Sequence, residues 1–172
     1  SQFFSYGIFI LNAGVIINLL NPSAADFLLS GTVKSSGNIN NHITINCTSG
    51  MPVLSCLNID TLFFQYTDIE SASIVVHIND EIIKPRLLSI TNSTISNSQI
   101  YNVFVVDNTE GVDITLSENS FSTDNQNNGG LLFSGFNKVQ LLRDSIQSTV
   151  APAYMIGAGI YILNNKSLEI NE

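Results

Sequence analysis

Charge is scarce in this sequence, and positive charge is scarcest. Lysine and arginine together occur six times in 172 residues, against fourteen aspartates and glutamates, which gives a formal net charge of −8. Nucleic acids and anionic membrane surfaces are both recognised through clustered basic side chains. The composition therefore argues against both partners.

Histidine and cysteine occur only twice each. Neither His42 nor His77 stands in a cluster of Cys, His and acidic residues at metal-ligand spacing, and no GxSxG motif offers a nucleophile to a histidine. Both histidines are interpreted as solitary, with His77 at an outward strand position. The sequence predicts no metal and no cofactor.

A long apolar stretch occurs only at the start of the chain. Residues 1–31 are apolar enough to suggest a signal peptide or a membrane span, but they lack an initiating Met and a basic start, and asparagines interrupt them. We expect no membrane span here. The sequence begins in the middle of the repeat pattern and ends, at SLEINE, in the middle of it. We therefore expect this chain to be a segment of a larger protein.

Isoleucine and asparagine are abundant, with 22 and 21 copies. Isoleucine favours strands, whereas asparagine favours the corners between them. The length fits one domain. The composition therefore predicts an all-β domain with polar corners.

An eight-residue pattern with apolar first, third and eighth positions recurs through the chain as LFFQYTDI (62–69), LSITNSTI (88–95), ITLSENSF (114–121) and VQLLRDSI (139–146). Its third positions are Phe64, Ile90, Leu116 and Leu141, and Ile170 continues the series. A second strand lies between the copies and has nearly the same period, with equivalent positions at Val76, Val105, Phe133 and Ile162. Weaker copies, GIFILN (7–12) and DFLLSG (26–31), reach the N-terminus.

Such a period predicts a solenoid. Each short strand buries one face and is unstable alone, so equivalent strands stack in parallel about 4.8 Å apart and their inward residues form apolar columns. We predict one parallel β-helix domain over residues 1–172, with six to seven rungs of roughly 25 residues. The rungs are less regular in residues 1–60 and regular in residues 60–172.

The coil length, the strand–turn–strand unit and the Asn-rich corners resemble the right-handed parallel β-helix of the pectin-lyase-like superfamily. They are most similar to its non-enzymatic cell-surface members, such as adhesins. The resemblance implies an extracellular structural or adhesive module, a subunit or segment of a filament, coat or adhesin. The alternative is a polysaccharide-active enzyme or a carbohydrate-binding solenoid.

The enzyme alternative has little support in the sequence. The NTD, DD and GHG signatures of the related hydrolases are absent, and KPR (84–86), which resembles the basic motif of the lyases, is interpreted as a proline-shaped corner. Asp68, Glu118 and Asp144 fall near one repeat column and are interpreted as solvated polar corners, the alternative being an acidic stripe with a catalytic or Ca2+ site. We expect no catalytic residue among them.

Three N-x-S/T sequons support an extracellular location, with N-linked glycans at Asn46, Asn92 and Asn165. Cys47 and Cys56 enclose eight residues and are expected to form a disulfide, the alternative being two buried thiols. The solenoid has open ends whose strand edges template further strands. We therefore expect self-assembly or contact with neighbouring subunits through these ends, with the apolar segment 1–20 buried in the contact.

Overall fold

The computed structural model describes residues 3–19, 27–47, 53–78, 87–97, 103–107, 112–123, 130–148, 159–163 and 167–172. Within these ranges every helix or strand is a β-strand, and every pairing between the strands is parallel. The predicted all-β parallel solenoid is confirmed.

The first three rungs each contain one long strand and one short strand. They are β1 (Phe3–Asn12), β2 (Ile16–Leu19), β3 (Phe27–Ser36), β4 (Ile43–Cys47), β5 (Val53–Gln65) and β6 (Thr67–Glu70).

The later rungs contain shorter strands, three in each full rung. They are β7 (Ser73–Ile78), β8 (Leu87–Thr91), β9 (Thr94–Ser96), β10 (Val103–Asp107), β11 (Asp113–Ser117), β12 (Ser120–Thr123), β13 (Gly130–Ser134), β14 (Lys138–Leu142), β15 (Ser145–Ser148), β16 (Gly159–Leu163) and β17 (Ser167–Asn171).

These strands form two sheets. In the large sheet of 11 strands, β1 pairs with β3 and β3 with β5, and β5 then pairs with β7 through its first half and with β8 through its second half. From β5 onward the sheet therefore continues as two columns, β7-β10-β13-β16 and β8-β11-β14-β17. The second sheet stacks six strands in the order β2-β4-β6-β9-β12-β15. Six stacked strands in the described residues agree roughly with the predicted six to seven rungs.

The inward columns follow the predicted register. The chain pairs Phe64 with Ile90, Ile90 with Leu116 and Leu116 with Leu141, and each of these side chains is at most 2% exposed. Val76, Val105, Phe133 and Ile162 are likewise successive partners. Isoleucines and one phenylalanine form the third column, Ile45, Ile69, Ile95, Phe121 and Ile146. The repeat spacing thus determines which side chains form the core.

Candidate functional site

A sharp bend joins the large sheet to the second sheet after β5, β8, β11 and β14. The bend is made by one residue with left-handed backbone, with φ between 47° and 59°, and these residues are Tyr66, Asn92, Glu118 and Arg143. Each backbone N–H donates to a carbonyl of the next rung over 2.8–3.1 Å. We call this bend the first corner. The backbone amide of each bend residue thus finds its hydrogen-bond acceptor along the solenoid axis. The corners are therefore hydrogen-bonded from rung to rung, as the strands are.

Polar side chains line the inside of the first corner, directly after each bend residue. We call Thr67, Ser93, Asn119 and Asp144 the corner ladder. The first three are at most 3% exposed. The Thr67 N–H donates to Ser93 Oγ (3.1 Å), the Ser93 N–H to Asn119 Oδ1 (3.0 Å), and the Asn119 N–H to Asp144 Oδ1 (2.9 Å). Each rung therefore supplies the acceptor for a buried amide of the preceding rung.

Two further contacts tie the corner ladder to its surroundings. The Asn119 side-chain amide donates to the Ile90 carbonyl and to Asp144 Oδ1, both over 2.8 Å. One rung nearer the N-terminus, the buried hydroxyls of Ser35 and Thr67 lie 2.7 Å apart and share a hydrogen bond. Buried polar groups of this kind are stable only when they are paired, and here the pairing runs along the axis.

Asp144 is the carboxylate of the ladder. Burial raises its pKa above the ordinary value of 3.8, although hydrogen bonds from Asn119 and from the Leu142 N–H act in the opposite direction. Desolvation opposes the charged form of a carboxyl group, which explains the direction of the shift.

The acidic stripe that the sequence left as an alternative is not formed by Asp68, Glu118 and Asp144. Asp68 is in register with Thr94 and then Ser120, Glu118 is a bend residue, and Asp144 belongs to the corner ladder. Their partners differ as well, because Glu118 forms an ion pair with Arg143. A sequence pattern does not resolve a shift of one or two positions where polar residues fill the whole corner.

His42 is not solitary, contrary to the interpretation from sequence. Its Nδ1 lies 2.9 Å from Asp68 Oδ2, and its ring packs against Tyr66 with centroids 5.4 Å apart. Both members of the pair are more than a third exposed. His42 and Asp68 are separated by one repeat period in the chain, a signal that was available in the sequence. The side chain of His77 lies outside the described residues.

The sequons differ in their placement. Asn46 lies on the outward side of β4, where its side-chain amide donates to Asn18 Oδ1 over 3.0 Å. Asn92 is at the predicted corner, with φ of 49° and a partly exposed side chain, and Thr94 of the same sequon is exposed. Asn165 and the KPR segment lie outside the described residues, so glycosylation stays a prediction.

Cys47 and Cys56 are both buried in one hydrophobic cluster as thiols, the alternative weighed beside the disulfide, which stays a prediction. Cys47 ends β4 in the second sheet, whereas Cys56 pairs with Leu29 and Val76 in the large sheet. Burial raises the pKa of Cys47 to about 11 and that of Cys56 to about 12. Both thiols are therefore protonated and poorly nucleophilic at neutral pH.

No group of three or more His, Cys, Asp or Glu side chains able to hold a metal ion occurs among the described residues. The same ranges contain no helix that is long and apolar enough to cross a membrane. Comparisons of the chain with protein-family models, curated proteins and solved structures found no match.

Proposed function

We propose that this chain is an extracellular structural or adhesive module, a segment or subunit of a surface filament, coat or adhesin, built as a right-handed β-helix of the pectin-lyase-like type. The observation that carries the proposal is the direction of its contacts. Apolar columns, strand pairing and the corner ladder all run along the solenoid axis and join each rung to its neighbours. A stack of this kind suits a spacer or scaffold that transmits load along its length.

Outward polar side chains also bond to their counterparts in the next rung along the axis. Thr115 donates to Gln140 and Gln140 donates to Glu169, over 3.2 and 2.9 Å. Lys138 forms an ion pair with Glu169 and holds the pKa of that carboxyl at about 2. These groups bond to the next rung, which supports a structural role for this face.

The proposal includes self-assembly or contact with neighbouring subunits through the solenoid ends. Leu168 and Ile170 continue the inward columns of Val139 and Leu141 and are 46% and 58% exposed. In the proposed assembly a further rung, from the same chain or from a neighbour, covers them. A polar replacement at both positions is expected to weaken that contact without altering the rungs behind it.

Electron microscopy and light scattering of the purified chain test the assembly. We expect rods or higher oligomers that become shorter in a Leu168→Ser/Ile170→Ser variant, whereas a Gln147→Ser variant, at an exposed position in β15, behaves like the parent. A dispersed monomer that cleaves an acidic polysaccharide would overturn the proposal and favour the enzyme. Binding of an oligosaccharide without cleavage would favour the carbohydrate-binding alternative.

Mass spectrometry of native material tests the proposed location. We expect hexose-bearing peptides that contain Asn92 or Asn165, and the digest under non-reducing conditions shows whether Cys47 and Cys56 are bridged. Unmodified asparagine at all three sequons together with two thiols would contradict an extracellular location.

A further inference from the structure

We infer that the outward face of the first rung is a lateral interface between two copies of this chain. The face consists of Tyr6, Ile8 and Ile10 on β1 and Ile16 on β2, which we call the outer patch. This inference deepens the proposed function and rests on one part of it, namely that copies of this chain assemble with one another. It differs in placing a contact on the side of the first rung, where two solenoids meet laterally, and not across the open end of the stack.

The side chains of the outer patch point away from the core. Strand β1 is in register with β3, where the inward residues are Leu29, Val33 and Ser35, each at most 1% exposed. Tyr6, Ile8 and Ile10 alternate with the partners of those inward residues, so they belong to the outer face. On β2, Ile16 precedes Ile17, whose register partner Ile45 is buried, so Ile16 faces outward as well. Their exposed fractions are large: 76% for Tyr6, 73% for Ile8, 52% for Ile10 and 65% for Ile16.

The next rung is polar at the outward positions beside the outer patch. In the next rung the register partners of Tyr6, Ile8 and Ile10 are Ser30, Thr32 and Lys34. The partner of Ile16 is Thr44, and the rung after that has Asp68. Of the eight large hydrophobic side chains that are exposed among the described residues, four lie in the outer patch. Exposed apolar side chains grouped in one rung beside a polar rung are typical of interaction surfaces.

The charge distribution favours a second copy as the occupant. Residues 1–47 contain one acid, Asp26, and one base, Lys34, so the whole net charge of −8 arises from residues 48–172. Two identical acidic chains repel each other, and they approach with least repulsion through the part that has no net charge. An apolar face is also self-complementary, and two such faces related by a two-fold axis form a closed dimer with sheets about 10 Å apart.

Sedimentation equilibrium across a wide concentration series tests the inference, with the full chain and three variants. We expect the parent to dimerise. Ile8→Lys should raise the dissociation constant of the dimer by about tenfold or more, because it places a charge where the dimer buries an isoleucine. Tyr6→Ser is a second, milder variant that should weaken it in the same direction. The matched control is Leu87→Lys, because Leu87 is an exposed outward leucine outside the patch.

An Ile8→Cys variant identifies the occupant. Two patches that meet across a two-fold axis place the new thiols close together, so we expect a covalent dimer after mild oxidation, whereas the parent and a Leu87→Cys variant remain uncrosslinked. A monomeric parent at every concentration would overturn the inference, as would a dimer that Ile8→Lys leaves intact. If the Leu168→Ser/Ile170→Ser variant loses the rods but keeps the dimer, the rods form through the solenoid ends and the dimer forms through the outer patch.

Discussion

At the scale of single residues, the unusual feature is that polar side chains occupy buried positions and direct their hydrogen bonds along the axis. Ser93 and Asn119 are nearly as buried as the isoleucines of the neighbouring columns. They accept hydrogen bonds from amides that the bend turns away from the strand pairing. An apolar residue of the same size would leave these amides without partners, which costs about 1–3 kcal/mol for each group. The ladder therefore specifies the register of the corner as well as its stability.

Asn119→Ala tests the contribution of the ladder. The variant removes the acceptor of the Ser93 N–H and the donor to the Ile90 carbonyl, so we expect the free energy of unfolding to fall by about 2–4 kcal/mol. Urea denaturation followed by circular dichroism measures the change. The control is Asn137→Ala, because the side chain of Asn137 is exposed and donates to Asp113 at the surface. A loss for Asn119→Ala no larger than that for the control would show that the ladder does not stabilise the fold.

Asp144 predicts a pH dependence of stability. Its pKa is raised in the folded chain, so the folded state holds the proton at pH values where the unfolded chain has lost it. The contribution of Asp144 to stability is therefore largest below the ordinary value of 3.8 and decreases as the pH rises through the raised value. Relative to Asp144→Asn, the parent should gain stability as the pH falls from neutral into the acidic range. Denaturation at a series of pH values checks this, and a difference that moves in the opposite direction would mean that the hydrogen bonds from Asn119 and Leu142 dominate.

At the scale of elements, the long strands of the first rungs differ from the split strands of the later ones. Gly7 and Gly31 are register partners in the middle of β1 and β3, and both have positive φ. A Cβ atom on Gly31 would overlap the Gly7 carbonyl oxygen and lie 3.2 Å from the Gly7 Cα. The bend in these strands thus needs glycine for its backbone conformation and for the close approach of the two rungs.

Gly31→Ala is expected to destabilise the chain more than Gly14→Ala. Both glycines have positive φ, near 87° and 81°, but a Cβ on Gly14 would meet no atom within 4 Å. The strain of the backbone is therefore common to both variants, and the difference measures the close contact between rungs. We expect about 1–3 kcal/mol more loss for Gly31→Ala, from thermal or urea unfolding. Equal losses would indicate that β1 moves to accept the methyl group.

The sequence predicted the elements that depend on periodic apolar spacing. Phe64, Ile90, Leu116 and Leu141 share one inward column because burial of one strand face leaves a regular signal. The corner ladder was not predicted, because Thr67, Ser93, Asn119 and Asp144 differ in type and look like ordinary polar corners. The His42–Asp68 pair was missed for a similar reason, since its only signal is a separation of one period. The sequence predicted that the apolar segment 1–20 is buried in a contact through the solenoid ends. The outward direction of the outer patch was not predicted, because it depends on the register of β1 with β3.

At the scale of the whole molecule, each rung contacts mainly its immediate neighbours, so stability is distributed along the axis. The net charge is distributed unevenly along the chain, because residues 1–47 carry no net charge and residues 48–172 are strongly acidic. Lateral pairing through the neutral part and stacking through the ends would use different surfaces. Such a division would allow one chain to take part in both contacts at once.

Removal of residues 149–172 tests whether stability is local to neighbouring rungs. The deletion takes away β16 and β17 and uncovers Leu131, Phe133, Val139 and Leu141, which are at most 2% exposed in the full chain. Because the earlier rungs keep their own neighbours, we expect the shortened chain to retain a β-type circular dichroism spectrum and to melt at a lower temperature. Hydrogen exchange should show less protection in β13 and β14 and unchanged protection in β4 and β6. Complete unfolding of the shortened chain would mean that the rungs fold as one indivisible unit and that the last rung is required by all the others.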